Sequence, residues 1–475
     1  MKIYPESIES KIGFDAVRAI VGGLCLSTLG QQKCREMAIS SDFEVVSRLL
    51  NQTDEMARII SAGEDFPLSA VHDVRSHLSG IRVAGTHIPE DELVRLRASL
   101  GTMAAIASFF AQRREESGES PYPALDRLAS AFGEFPEAMR DIDRVIDKFG
   151  AVKDNASPAL ASIRSQLASM QGSIASAMRR VIAQAVKAGI LDADASPSLR
   201  DGRPVIPVPP MHKRKIPGIV HDESATGKTI FIEPAEVVEA SNRLREMQMD
   251  ERREVMRILV ELADKLRPHV PAMLDSYDIL ADFDFIHAKA RFAMQADCNM
   301  PHLHRDMQLE LYHACHPILK QTLEKIGKAV VPLDIRLTPE DRMLVISGPN
   351  AGGKSVTLKT VAIAQYMAQC GMLPPCQTNS HMSLADGIFI DIGDDQSIEN
   401  ELSTYSSHLR NLKYFLANGT ARTLCLIDEF GSGTEPQIGG AIAQAVLSQF
   451  VQIGMWGVIT THFQNIKRFA EETQG

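Results

Sequence analysis

The chain carries two hydrophobic rhythms. Up to about residue 150, apolar positions recur at steps of three and four in short runs broken by polar turns. Asp15–Leu29 and Asp91–Gln112 are examples, and the spacing predicts packed helices. From Ser157 the runs lengthen. Ser157 followed by Pro158 is a helix start, a capping side chain and then proline in the first turn. Leu160, Ile163, Leu167, Met170, Ile174, Met178 and Val181 mark one stripe. Leu244, Met247, Val255, Ile258, Leu262 and Leu266 mark a second, which stops before Pro268. Each predicts a helix of about 30 residues, roughly 45–50 Å long. Together they predict two arms packed along a heptad-like seam. Between the arms, Pro204–Val208 and Thr229–Ile232 read as short strands among glycine and proline turns. The expected shape is a lever with a β-containing tip.

Beyond residue 300 the apolar runs shorten and end in chemistry. Met343–Ser347 predicts a strand that feeds Gly348, Pro349, Asn350, Ala351, Gly352, Gly353, Lys354 and Ser355, with Val356 next and an amphipathic helix running to about Gln369. This is the phosphate-loop pattern GxxxxGK[ST] between the strand and helix it requires. Glycines let backbone N–H groups turn inward around a β-phosphate, and the helix N-terminus adds positive potential. Lys354 is expected to reach the β- and γ-phosphates and the Ser355 hydroxyl to ligate Mg²⁺. A second strand, Thr423–Ile427, delivers Asp428 and Glu429. Asp428 suits the magnesium shell, and Glu429 suits orienting or deprotonating the attacking water. A third, Trp456–Thr460, leads to Thr461 and His462, where a γ-phosphate sensor belongs. Such strands with intervening helices predict an α/β nucleotide-binding sheet with its ligand at the strand C-termini.

Composition changes this picture only locally. The 475 residues suggest about three domains, and 44 % apolar with 23 % charged residues is ordinary for a globular chain. A net charge of −10 excludes nucleic-acid binding through bulk positive charge, but not through a patch. The tip is such a patch. From Arg200 to Lys228, Arg200, Arg203, Lys213, Arg214, Lys215 and Lys228 outnumber Asp201, Asp222 and Glu223, a local balance of +3. Arg203, Lys213, Arg214, Lys215 and Lys228 are the candidate nucleic-acid contacts, although a solvated hairpin would have the same charge. The opening MKIYPESIES is no secretory signal, and no run reaches the ~18 apolar residues of a membrane span. Seven scattered cysteines without CxxC spacing argue against disulfides or zinc. A cytoplasmic protein with no membrane partner is expected.

Four segments together, GPNAGGKS, DIGDDQSIENELSTYSSHL (Asp391 to Leu409), LIDEFGSGTEP (Leu426 to Pro436) and TTHF (Thr460 to Phe463), resemble the MutS family of ATPases. The DIGD-QS and LST-Y-SSH forms of the second segment, with GIVHDESATGKTIFIEP (Gly218 to Pro234) and DNASPALASIR (Asp154 to Arg164), resemble its second bacterial branch, MutS type two. The resemblance implies a multidomain fold. A helical core over 1–150 precedes lever helices over 151–300 carrying a clamp insert at about 195–235, and an ABC-type P-loop ATPase domain follows over 301–475. It also implies a homodimer with ATP sandwiched between subunits. Ser403, with Thr404, would reach the partner's γ-phosphate, and Gly433-Thr434 would lie at the same interface. Read alone, Ser403 and Thr404 are a helix cap. Where relatives show Arg-His-Pro this chain has Cys315-His316-Pro317, and Glu435 and Tyr405 replace aspartate and phenylalanine.

The chain stops at Gly475, whereas family members continue with the last ATPase strands, a dimerising helical segment and usually a Smr nuclease domain. The expectation is therefore a truncated ATPase domain, a weakened dimer and no nuclease activity. Beside the plain reading of an ATP-binding fragment whose partner site lies in the C-terminal part of family members, two functions remain open. One is an ATP-gated clamp on branched or mismatched DNA that restrains recombination. The other is a quality-control ATPase that grips rRNA and helps split stalled or collided ribosomes.

Overall fold

The computed structural model describes residues 1–348, 353–393, 401–432 and 434–473, and the side chains of all of these but 116–117 and 401–405. The chain forms two compact units, each assembled from separate stretches of sequence.

Val74–Gly101 and Glu134–Leu274 make the first unit. Its body is a pair of long helices, α1 (Pro158–Lys187) and α2 (Ala235–Leu266), packed along each other. Ser157 caps α1 by accepting the Leu160 N–H at 3.0 Å, and its hydroxyl donates to Glu254 of α2 at 2.6 Å. Leu160, Leu167, Ile174 and Val181 are all buried, seven residues apart, as a supercoiled seam requires. Arg164 reinforces the seam by donating to Glu251 at 2.7 Å. At the far end the helices share one apolar core with a four-stranded antiparallel sheet, ordered Ser198–Arg200, Arg203–Val208, Ile230–Pro234, Gly218–Glu223. Two of these strands, Ser198–Arg200 and Gly218–Glu223, lie where alternation is too weak to predict them.

Met1–Asp73, Thr102–Gly133 and Asp275–Gly475 make the second unit. At its centre is a wholly parallel sheet of β1 (Lys2–Tyr4), β2 (Met343–Ser347), β3 (Gly387–Asp391), β4 (Thr423–Ile427) and β5 (Trp456–Thr461), in the spatial order β1-β3-β4-β5-β2. Every residue of β3, β4 and β5 is buried, which is why these strands read as continuous apolar runs. Alternate residues feed separate cores. Ile388, Ile390, Leu424 and Leu426 pack with α3 (Lys354–Gln369), and Phe389, Cys425, Ile427 and Ile459 pack with α4 (Glu401–Asn418) and α5 (Pro436–Ile453).

Two expectations need correction. The first residues do not belong to a run of helices: β1 pairs with β3, Ile3 opposite Ile388. The expected helix Asp15–Leu29 is two helices, Phe14–Leu24 and Thr28–Glu36. The break is imposed from outside, because the buried Asp284 carboxylate accepts the Leu26 N–H at 2.7 Å, the Ser27 N–H at 2.9 Å and the Ser27 hydroxyl at 2.5 Å. Ser27 then caps the next helix on Gly30. Gly30 is required there, since a Cβ would lie 2.4 Å from the Asp284 carboxylate. One helix, Glu90–Ser117, is long and apolar enough in composition to cross a membrane, and half of its most apolar window is buried inside the protein.

Candidate functional site

The strand order brings three of the sequence-predicted segments together. β2 and β5 run side by side with Ser347 opposite Thr461, and β5 and β4 with Ile459 opposite Ile427. Gly348, His462 and Asp428 therefore leave adjacent strands at the same edge, as ligand-binding residues do in open parallel sheets.

Lys354 opens α3 directly after Gly353, whose left-handed φ of 81° suits glycine. The lysine is 5 % exposed. Its ammonium donates to the Gly348 carbonyl at 2.8 Å and meets His462 Nε2 at 3.0 Å. An ammonium has donors only, so Nε2 must accept, which puts the proton of a neutral imidazole on Nδ1. No carboxylate pairs with Lys354 among the described residues. A buried cation left with a carbonyl and an imidazole is an anion site in its chemistry. Ser355 and Val356 are exposed on the first turn of α3.

Asp428 and Glu429 follow β4 directly. The Thr460 hydroxyl donates to Asp428 Oδ1 at 2.6 Å and accepts the Glu429 N–H at 2.8 Å. The Asp428 N–H donates to the Asp391 carbonyl, and the Phe430 N–H to the Thr460 carbonyl, both at 2.8 Å. Glu429 is held at φ 49°, a left-handed conformation that costs a non-glycine residue energy and that collects at functional sites. Asp428 keeps Oδ2 free of hydrogen bonds among the described residues, and a leftover carboxylate oxygen at a strand end suits a hard cation. Ser355 and Asp428 are the groups that fit Mg²⁺.

Beside this, Asp391 at the end of β3 is buried and accepts His408 Nδ1 at 2.6 Å and Asn411 Nδ2 at 2.8 Å. Asn411 accepts in turn from the Tyr4 hydroxyl at 2.7 Å, so the N-terminal strand is tied to α4. Neither Thr460 nor this Asp391 network was legible as a site. A threonine at the end of a strand signals nothing until the neighbouring strand is known.

Pro349, Asn350, Ala351, Gly352 and Gly433 lie outside the described residues. Ser403 and Thr404 fall in the first turn of α4. Thr434 is half-buried just before α5, whose N-terminus Glu435 caps through the Gln437 and Ile438 N–H groups at 3.4 and 3.3 Å. His316 is buried and structural: its ring bonds the Ile12 carbonyl at 2.9 Å and accepts the Leu319 N–H at 3.4 Å.

In the other unit, the side chains of Lys213, Arg214, Lys215 and Lys228 are exposed and make no ion pair or hydrogen bond among the described residues. Arg203 differs. It donates to Asn242 at 2.7 Å and to Glu233 at 3.4 Å. Glu233 is fully buried and also accepts His221 Nε2 at 2.6 Å. Arg203 therefore neutralises an interior carboxylate.

Residues 344–475 match the family model of MutS domain V. The chain is 37 % identical over 474 residues to the Endonuclease MutS2 of Thermomicrobium roseum, covering 97 % of this chain and 58 % of that protein. It is 36 % identical over 462 residues to the Endonuclease MutS2 of a Geobacillus species, again 97 % and 58 %. To that of Levilactobacillus brevis it is 36 % identical over 456 residues, 96 % and 56 %. The chain thus spans less than three fifths of the length of these relatives.

Proposed function

This chain belongs to the MutS family, on its type two branch, and from that premise we propose that it is an ATP-dependent nucleic-acid clamp acting on branched or mismatched DNA and restraining recombination. The observation that carries the proposal is the convergence at one sheet edge of a buried, carboxylate-free Lys354 with His462, beside an Asp428 held by Thr460.

ATP with Mg²⁺ supplies the phosphoanhydride whose hydrolysis powers the cycle. The run Gly348–Val356 binds the phosphates, with Lys354 exchanging its carbonyl contact for phosphate oxygens. Ser355 and Asp428 would hold the metal, which supplies charge neutralisation at the phosphates. Glu429 accepts the proton of the attacking water at its carboxylate, its backbone fixed by the Thr460 bond. His462 keeps an acceptor on Lys354 and senses the γ-phosphate end. Ser403, Thr404, Gly433 and Thr434 complete the site of a second subunit in a homodimer. The helices α1 and α2 act as levers for the tip, whose Lys213, Arg214, Lys215 and Lys228 grip phosphates without reading bases, while Arg203 supports the tip from within.

The test is sedimentation of the Glu429→Gln variant with ATP and Mg²⁺, offered equal amounts of labelled four-way DNA junction and purified ribosomes. Migration with the junction is expected. Migration with ribosomes alone would replace the recombination role by ribosome rescue, and migration with neither would overturn the clamp.

A further inference from the structure

A cavity of about 1170 Å³ opens among the helices of the sheet-bearing unit and shares no lining residue with the strand-end site. Its walls come from the helices Phe43–Ser61, Pro123–Ala129 and Val270–Gln295. Three of its polar side chains are almost wholly buried: Lys289 at 2 %, Glu55 at 3 % and Gln52 at 6 % exposure.

They are not equally satisfied. Glu55 is committed, its carboxylate accepting the Ala124 and Leu125 N–H groups at 3.0 and 2.8 Å. Lys289 donates to the Gly371 carbonyl at 2.9 Å, a carbonyl that the Thr53 hydroxyl shares; Asp282 acts on it electrostatically, and no carboxylate among the described residues forms an ion pair with it. Burial pushes its ammonium down to about 8. The Gln52 amide makes no hydrogen bond with any described residue, and its polar atoms stay open to solvent although the residue as a whole is buried. The side chains of Arg48 and Arg127, exposed at the walls, have neither ion pair nor hydrogen bond among the described residues. The other acidic groups of the lining are paired: Glu36 with Gln32, Glu44 with Arg305, and Asp282 with Lys33, which lines the cavity too. On a protein of net charge −10, this cavity presents two guanidiniums and an amide without side-chain partners among the described residues, and a lysine that rests on a carbonyl and over the Phe285 ring rather than on a carboxylate.

We propose that the cavity binds a small phosphorylated molecule, its phosphate on Lys289 and Gln52 with Arg48 and Arg127 closing on it. A dianion matches several unpaired cations better than a single carboxylate, and guanidinium forks match phosphate geometry. Such an anion would also offset the cost of desolvating Lys289. The volume accommodates a ligand the size of a nucleotide.

The test is calorimetric titration of the Lys354→Ala protein, in which the strand-end phosphate site is disabled, with inorganic phosphate and with adenosine monophosphate. One site per chain is expected. Equal affinity for both identifies phosphate itself as the ligand, and tighter binding of the nucleotide identifies a phosphorylated metabolite. Adding Arg48→Glu and Arg127→Glu, both at exposed positions, should weaken that site about tenfold or more. Gln52→Leu should weaken it independently. Absence of any site in the Lys354→Ala protein, or an affinity unchanged by the wall and floor substitutions, would overturn the assignment. Neither result depends on whether the chain hydrolyses ATP.

Discussion

At the end of the parallel sheet, polar groups hold one another: Thr460 holds Asp428 and Glu429, Lys354 lies between a carbonyl and His462, and Asp391 is gripped by His408 and Asn411. At the tip of the paired helices, Lys213, Arg214, Lys215 and Lys228 stand in solvent with no side-chain partner among the described residues, whereas Arg203 is occupied by Glu233, and Arg200 by Asp222 at 3.4 Å and the Phe231 ring. Chemistry needs groups fixed to within fractions of an ångström, so its charges are pre-positioned by hydrogen bonds. Phosphate gripping needs only mobile positive charge near a surface, and fixing those side chains would gain little. In the proposed function the contrast is between a site that transforms a ligand and one that holds it.

Several substitutions break or sharpen that contrast. The largest effect is expected from Glu429→Gln, which should lower steady-state ATP hydrolysis about 100-fold or more while leaving nucleotide affinity near the parental value. Reversing Lys213, Arg214 and Lys215 to glutamate should reduce junction affinity by roughly two orders of magnitude and flatten its salt dependence by about three counterions, with ATP turnover in the absence of DNA unchanged. Thr460→Val keeps the shape of the side chain and removes both of its hydrogen bonds, so hydrolysis should drop about tenfold, with Thr460→Ser restoring most of it. Arg203→Ala should act on stability, lowering the denaturant midpoint by the equivalent of roughly 2–4 kcal/mol because Glu233 is left buried without its guanidinium. Junction binding by the protein that remains folded should hardly change. If Arg203→Ala instead weakened junction binding as strongly as the tip reversal, the division between held and unheld charge would be wrong.

The sheet edge was legible because its strands are short apolar runs that end in unmistakable residues. Met343–Ser347 and Thr423–Ile427 fall where the pattern put them. The long helices were legible through their seven-residue spacing and the Ser157 cap. What escaped depends on contacts between distant parts of the chain. Three residues, Lys2–Tyr4, give no periodicity, and their pairing with Gly387–Phe389 is a tertiary fact. The break at Ser27 comes from Asp284, far along the chain. Arg203 counted as one more tip cation until the fold placed it on Glu233. Thr460 was hidden for the same reason, since its use is defined by the strand beside it.

The central claim is that nucleotide held at the sheet edge controls the grip of the tip. The most direct measurement is the dissociation rate of a labelled four-way junction from Glu429→Gln protein, with and without ATP and Mg²⁺, in chains with the native and the charge-reversed tip. ATP is predicted to slow dissociation at least tenfold in the native chain and to have no effect once Lys213, Arg214 and Lys215 are reversed. A dissociation rate that ATP leaves unchanged, or one that it slows equally in both chains, would contradict the account.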